Sequence, residues 1–260
     1  MAFDPKKIQK GVIKKPRKLL LYGAPKMGKS TLAVSAKNSI LLYTEDRVDH
    51  IDNQKVKIND YNELIEVFEW LVTNKGNGGH GFKRVIIDSL DWLEPIIHKY
   101  VCEKIGSKDL YDNKDDKVNF GKGLKVEAVK GWRNFLKNCD ILRDNGFDVI
   151  LIAHDQITTI SPADENSYDK IVMKLDKNAL SVLEEWSDII GYYAKDISVI
   201  SEKEGLKKKG KAFSKKSRTL YLSGDKPSIM SGNSYGFSDI SVTLDQCSEI
   251  MEYILTENNN

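Results

Sequence analysis

Short apolar runs alternate with stretches whose apolar residues recur every three or four positions, and this alternation predicts strands interleaved with helices. Lys18-Leu19-Leu20-Leu21-Tyr22-Gly23 is an apolar run that ends at glycine, and residues 29–37 continue it as a helix. Ser39-Ile40-Leu41-Leu42-Tyr43-Thr44 gives a second strand. Asp60-Tyr61-Asn62-Glu63 has the form of a capping box, ahead of a helix with Leu64, Ile65, Phe68, Leu71 and Val72 on its apolar side. After a glycine-rich loop over 75–81, Arg84-Val85-Ile86-Ile87-Asp88 is a third strand and about 89–105 a helix. Residues 107–123 are polar without periodicity, which predicts a mobile loop. Val126, Val129, Trp132, Phe135, Leu136, Cys139 and Leu142 then form a helical stripe of packing residues. Asp148-Val149-Ile150-Leu151-Ile152-Ala153 is a fully apolar strand of the kind found in parallel sheets covered on both faces.

Beyond residue 155 the pattern changes. A polar segment to about 169 leads to a helix over 178–186 and strands over 189–193 and 197–201. A basic stretch separates these from a strand over 219–222, which predicts a hairpin with a basic tip. An amphipathic helix follows, carried by Leu244, Cys247, Ile250, Met251, Ile254 and Leu255. The expected architecture is α/β: a mainly parallel sheet flanked by helices, with a β-rich C-terminal extension. Residues 1–17 read as a basic arm and 18–260 as a single domain, its core about 18–200 and its hairpin and helix extension about 201–257.

A length of 260 residues allows one sizeable core, and 40% apolar residues with 18 glycines excludes a disordered chain. No apolar run nears the roughly 18 residues that cross a bilayer, and Met1-Ala2-Phe3-Asp4-Pro5-Lys6 lacks a secretory signal, so no membrane partner and a cytoplasmic location are expected. Cys102, Cys139 and Cys247 lie far apart and read as buried thiols, with neither a disulfide framework nor a zinc site. The net charge of +2 hides an asymmetry. Residues 1–18 carry seven basic side chains against Asp4, and residues 203–218 carry eight against Glu204, so the remainder is acidic. Two basic segments on an acidic body point to a polyanion as partner, and equally to solvated surface segments.

The chemistry is concentrated in Gly23-Ala24-Pro25-Lys26-Met27-Gly28-Lys29-Ser30, which fits the phosphate-loop pattern G-x-x-x-x-G-K-[ST]. Chance would produce it in a chain this long on the order of one time in a hundred. Here it also follows a strand and opens a helix. Backbone N–H groups from Lys26 to Ser30 would cradle phosphates, Lys29 would reach the β and γ oxygens, the Ser30 hydroxyl would ligate Mg²⁺, and Thr31 would touch the α-phosphate. Asp88, ending its strand, is the candidate second metal ligand; capping of the next helix is its bland alternative. Ser89 stands where many such ATPases place a catalytic Glu, so the base is sought elsewhere. Glu45, at the end of the second strand on the same sheet edge, is the first candidate; Asp91 and Asp46 are rivals. His154 ends the fourth strand on that edge and is expected to sense the γ-phosphate, with Gln156 joining the nucleotide-binding set and carrying the signal onward. His50, His80 and His98 show no comparable placement. Asn113-Lys114-Asp115-Asp116 matches N-K-x-D but lies in a polar stretch, and no D-x-x-G follows Asp88, so ATP is expected over GTP.

Taken together, Gly23 to Thr31, Glu45, Ile86-Ile87-Asp88-Ser89 and Ile152-Ala153-His154-Asp155-Gln156 resemble the RecA-like P-loop NTPase core, most closely the phage nucleotide-binding proteins that act as single-strand annealing recombinases. The resemblance spans about 18–200. It implies ATP and Mg²⁺ as ligands, ATP-regulated binding of single-stranded DNA, a homo-oligomeric ring or filament, help from a single-strand-binding protein, and a host cytoplasm if phage-encoded. It makes residues 155–170 a DNA-contacting loop, with Tyr168 and Phe213 as aromatic candidates for base stacking. Family members tend to carry a Lys and an Arg in a hairpin near the C-terminus; here Ser231-Gly232-Asn233-Ser234-Tyr235-Gly236 stands there, and Arg218 or Lys226 would have to substitute. Two other classes stay open: a small P-loop kinase, against which the absence of Arg from 107–123 argues, and a non-hydrolytic interaction protein braced by ATP.

Overall fold

A computed structural model describes residues 4, 10, 11, 13–76, 78–204 and 207–257, with side chains described outside 197–216. Its central sheet is built on β1 (Lys18–Gly23), β2 (Ser39–Tyr43), β3 (Lys55–Lys57), β4 (Arg84–Asp88), β5 (Asp148–Ile160), β7 (Ile189–Glu204), β8 (Lys207–Tyr221) and β10 (Ile240–Val242), in the order β10-β8-β7-β1-β5-β4-β2-β3. Along this order every pairing from β7 to β3 is parallel, β8 and β10 are antiparallel additions at one edge, and the short β9 (Gly232–Asn233) pairs antiparallel with β7. The mainly parallel sheet with a β-rich extension is as the sequence predicts.

Strand alternation divides the core into two layers. Leu20, Tyr22, Leu42, Val85, Ile87, Val149 and Leu151 face one side, under α2 (Tyr61–Thr73), α3 (Leu90–Ile105), α4 (Val129–Asp144) and α5 (Lys177–Trp186). Leu19, Leu21, Leu41, Ile86, Ile150 and Ile152 face the other, under α1 (Lys29–Val34) and α6 (Cys247–Thr256). The predicted capping box starts α2: Asp60 accepts from the Glu63 N–H at 2.9 Å, while Glu63 reaches back to the Asn59 N–H at 2.8 Å. Arg84, buried at the amino edge, ties α6 to the sheet through Glu252 (2.8 and 3.0 Å), Asp148 (3.3 Å) and the Lys37 carbonyl (2.5 Å). The three cysteines are buried free thiols. Among the described residues no helix is long and apolar enough to cross a membrane.

Several expectations are corrected. Residues 107–123 are anchored, because Leu110 and Val118 are buried and Gly123 lies so close to Leu110 that a Cβ would sit 2.0 Å from its carbonyl oxygen. A π-helical turn over Gly123–Ala128 offsets the next helix, leaving Val126 exposed and Glu127 buried against Lys130. The polar segment after 155 is a hairpin: β5 runs to Ile160 and pairs antiparallel with β6 (Tyr168–Met173). The strands expected at 189–193 and 197–201 are one strand, bulged between Lys195 and Ile197. Leu244 precedes α6 in a 3₁₀ turn and is exposed. At the end of the basic arm, Arg17 is buried, donates to the Glu257 carbonyl at 2.7 Å and lies 3.4 Å over the Tyr235 ring. Lys6 and Lys7, and the side chains of Lys207, Lys208, Lys209 and Phe213, lie outside the described residues.

Candidate functional site

β1 delivers the phosphate loop to the carboxyl edge of the sheet. The chain can turn there only with glycine at 23, where a Cβ would sit 2.2 Å from the Tyr193 carbonyl oxygen. At Gly28 the backbone takes φ 90°, the left-handed region that favours glycine, as the loop turns into α1. Gly28 then caps α1, and Leu32 closes its first turn onto the Gly28 carbonyl at 2.9 Å. Lys29 is buried, with Nζ donating to the carbonyls of Gly23 (2.8 Å) and Ala24 (3.0 Å). Burial lowers its pKa, and the charges of Asp88, Asp155, Asp91 and Glu45 oppose that shift. Gly23 and Ala24 thus stand behind the loop and hold its lysine, whereas Pro25 to Thr31 line a cavity of about 310 Å³.

The same cavity gathers groups from four other places in the chain: Glu45 after β2, Asp88 at the end of β4, His154 in β5 and Arg218 in β8. Ser30 donates its hydroxyl to Asp88 Oδ2 at 2.5 Å. Burial raises the Asp88 carboxyl and Glu45 adds to the effect, against the Ser30 hydrogen bond and the charge of Lys29. A hydroxyl and a buried carboxylate side by side form a hard-oxygen pair suited to Mg²⁺. Among the described residues no group of three or more His, Cys, Asp or Glu could hold a metal. The pair therefore fits an ion that completes its shell with phosphate oxygens and water, as magnesium usually does. Thr44 fixes the ends of β2 and β4 together: its N–H donates to the Asp88 carbonyl (2.8 Å), and its Oγ1 bridges the Ser89 N–H and carbonyl (both 3.0 Å). Glu45 and Asp88 are set side by side by that clasp.

Of the rivals to Glu45, Asp46 is in an ion pair with Lys57 at 2.6 Å and Asp91 is hydrogen-bonded to His154. Gln156, expected among the nucleotide-binding residues, does not line the cavity. From Asp155 onward β5 pairs with β6, and the Gln156 amide is carried along to donate to the carbonyls of Met173 (3.1 Å) and Leu175 (3.2 Å). His50, which stands in no motif, does line the cavity, as do Arg47 and the exposed Leu244. Arg218 brings a buried Nε that has no hydrogen-bond partner among the described residues, while Lys226 lies over the Tyr221 ring at 3.9 Å, away from the cavity. These convergences are tertiary, and no local pattern in the sequence marks them. The Ser231 to Gly236 stretch is organised by Asn233, which bonds to Leu222, Tyr235 and Phe237. A larger groove, about 530 Å³ between β3 and α2, is lined by Ile40, Val56, Val67 and Trp70 together with Lys55, Glu63 and Glu66, and no residue of the phosphate loop reaches it.

Two hairpins leave the sheet on the carboxyl side. β5–β6 departs directly after His154, and β7–β8 continues beyond Tyr193, with its backbone paired out to Glu204↔Lys207. The AAA_24 family model, described as an AAA domain, matches residues 15–230. No curated protein matches the chain.

Proposed function

From the chain's membership of the AAA-domain family, a family of P-loop ATPases, we propose that it binds and hydrolyses ATP in the cavity above β1 and uses that cycle to regulate binding of single-stranded DNA for annealing or strand exchange. The observation that carries the nucleotide half is the convergence of Lys29, Ser30, Glu45, Asp88 and His154 on one cavity at the carboxyl edge. Lys29 exchanges its two carbonyl partners for phosphate oxygens, a change from neutral to charge-assisted hydrogen bonds. Ser30 and Asp88 would hold magnesium, which when bound would neutralise charge on the phosphates. Glu45 orients and deprotonates the attacking water, and His154 faces the terminal phosphate. Thr31 lies at the α-phosphate end.

The DNA half is supported by the second hairpin, whose segment 203–218 has eight basic residues against one acidic, and by Ile157 and Tyr168 exposed on the first. Cations neutralise phosphates and exposed apolar or aromatic side chains meet bases, the combination that non-specific single-strand binders use. The working form in this reading is a homo-oligomeric ring or filament assisted by a single-strand-binding protein. Filter binding of labelled single strands, with and without ATP, tests it. Binding that responds to ATP and falls steeply with salt is expected; no binding at low salt refutes the DNA half and leaves the nucleotide half standing.

A further inference from the structure

His154 stands where β5 stops pairing with β1, at Gly23↔His154, and begins pairing with β6, at Asp155↔Met173. Its ring is already engaged there. Asp91, in the first turn of α3, meets Nδ1 with Oδ2 at 2.8 Å and Oδ1 at 3.0 Å, and the same Oδ1 accepts the His154 backbone N–H at 3.1 Å. The two side chains are 6% and 14% exposed, so little water competes for these bonds. Burial alone would raise the Asp91 carboxyl, but the bonds and charge of His154 outweigh it and hold the group below its ordinary range. An ionised carboxylate only accepts hydrogen bonds, so Nδ1 carries its proton toward Asp91. Nε2 is the nitrogen left for the nucleotide cavity that His154 lines.

We propose that Asp91 is the positioning residue of His154: one carboxylate sets the ring's tautomer and direction toward the nucleotide and ties the root of the β5–β6 hairpin to α3. This rests on the nucleotide reading above. The helix concerned begins two residues after Asp88, so the end of β4 runs directly into the helix that holds the hairpin root. Glu94, one turn further along α3, holds the other root, accepting the Asp176 N–H just past β6 at 3.2 and 3.4 Å. A structural role for Asp91 alone would explain the bond to the backbone; it gives no reason for the second, to the ring nitrogen Nδ1.

Substitution separates the two bonds. Asp91→Asn keeps Oδ1 for the backbone N–H but puts an amide N–H₂ where Oδ2 met Nδ1, which favours the opposite tautomer. Asp91→Ala removes both. ATP hydrolysis, ATP affinity by calorimetry and backbone hydrogen exchange are compared for these variants, His154→Gln and the Asp91→Asn/His154→Gln double variant. The expected result is a kcat lowered about 10–100-fold in Asp91→Asn with ATP affinity within about twofold of wild type, the scale on which partners of a functional histidine act. In the His154→Gln background Asp91→Asn has no further effect. Exchange over 154–160 and 168–173 stays slow in Asp91→Asn and speeds up in Asp91→Ala. A kcat for Asp91→Asn within about twofold of wild type, or effects of the two substitutions that multiply, overturns the proposal while the nucleotide reading stands. Wild type that binds no ATP brings both down.

Discussion

Replacing Asp88 with Asn separates the metal-binding role of this carboxylate from any role in holding the fold. The carboxylate is buried and accepts the Ser30 hydroxyl, and asparagine's Oδ1 can accept the same bond. The exchange trades a charge-assisted bond for a neutral one, a loss of about 1 kcal/mol. It also relieves the cost of a buried charge, and the two roughly offset. The net change is therefore within about 1 kcal/mol, or about 2–4 °C in Tm for a chain of this size. The pH dependence has a definite sign. A carboxyl whose folded pKa is raised above the ordinary 3.8 favours the fold while protonated and costs stability once ionised. The variant should gain on wild type as pH rises above about 4 and lose that gain below it. Catalysis behaves oppositely, because replacing an anionic metal ligand with a neutral amide weakens the hold on magnesium at the developing charge, at a cost of about 100–1,000-fold in kcat. The assay is thermal melting across pH together with Mg²⁺-dependent ATP hydrolysis. A variant that hydrolyses ATP like wild type, or that melts more than about 10 °C lower at pH 7, refutes the assignment of Asp88 to the metal.

Arg84→Ala leaves Asp148 and Glu252 without their buried partner and is expected to cost about 3–5 kcal/mol, seen as a Tm roughly 10 °C lower. Burial opposes ionisation of Glu252, but the Lys37 N–H and Arg84 outweigh it and lower its pKa. Its stabilisation is therefore present above about pH 4.5 and lost as pH falls through the lowered value, and an acid titration of the melting temperature that shows no such loss contradicts the ion-pair account. Changing Lys207, Lys208 and Lys209 together to Ala should flatten the dependence of log K for single-stranded DNA on log salt by about 2, at roughly 0.7 per charge, with ATP affinity unchanged. An unchanged slope removes this segment from the DNA interface.

The parts of the fold that the sequence made legible are those in which burial imposes a period. Leu19 to Tyr22, Ile40 to Leu42, Val85 to Ile87 and Val149 to Ala153 are buried on both faces, so they read as unbroken apolar runs, and Trp132 to Leu142 keep a helical spacing because one side of α4 is packed. The β5–β6 hairpin stayed hidden because its outer part, with Ile157 and Tyr168, is exposed, and only Val172 and Met173 near its root are buried, too short a run to show a period. β3 is a three-residue Lys-Val-Lys edge whose pattern is too short to register. Leu110 and Val118 anchor a stretch in which residues 112–117 are all polar, so two apolar positions stand without the repeats that would show a period. At the site the phosphate loop is local and could be read directly. Asp88 and Glu45 could be placed by strand ends alone, but the arrival of His50, Arg47 and Arg218 at one cavity, and the turning of Gln156 away from it, depend on crossovers that no short window of sequence contains.

The central claim is that a nucleoside triphosphate and its magnesium are held where β1 turns into α1. Isothermal titration of the full chain with ATP, in magnesium and in EDTA, measured beside Lys29→Ala, tests it most directly. One site per chain, strengthened by magnesium and weakened about 100-fold or more in the variant, is predicted, the roughly 3 kcal/mol of charge-assisted bonds that Lys29 supplies. Heat of binding that is absent in wild type, or equal in the two proteins, would contradict it.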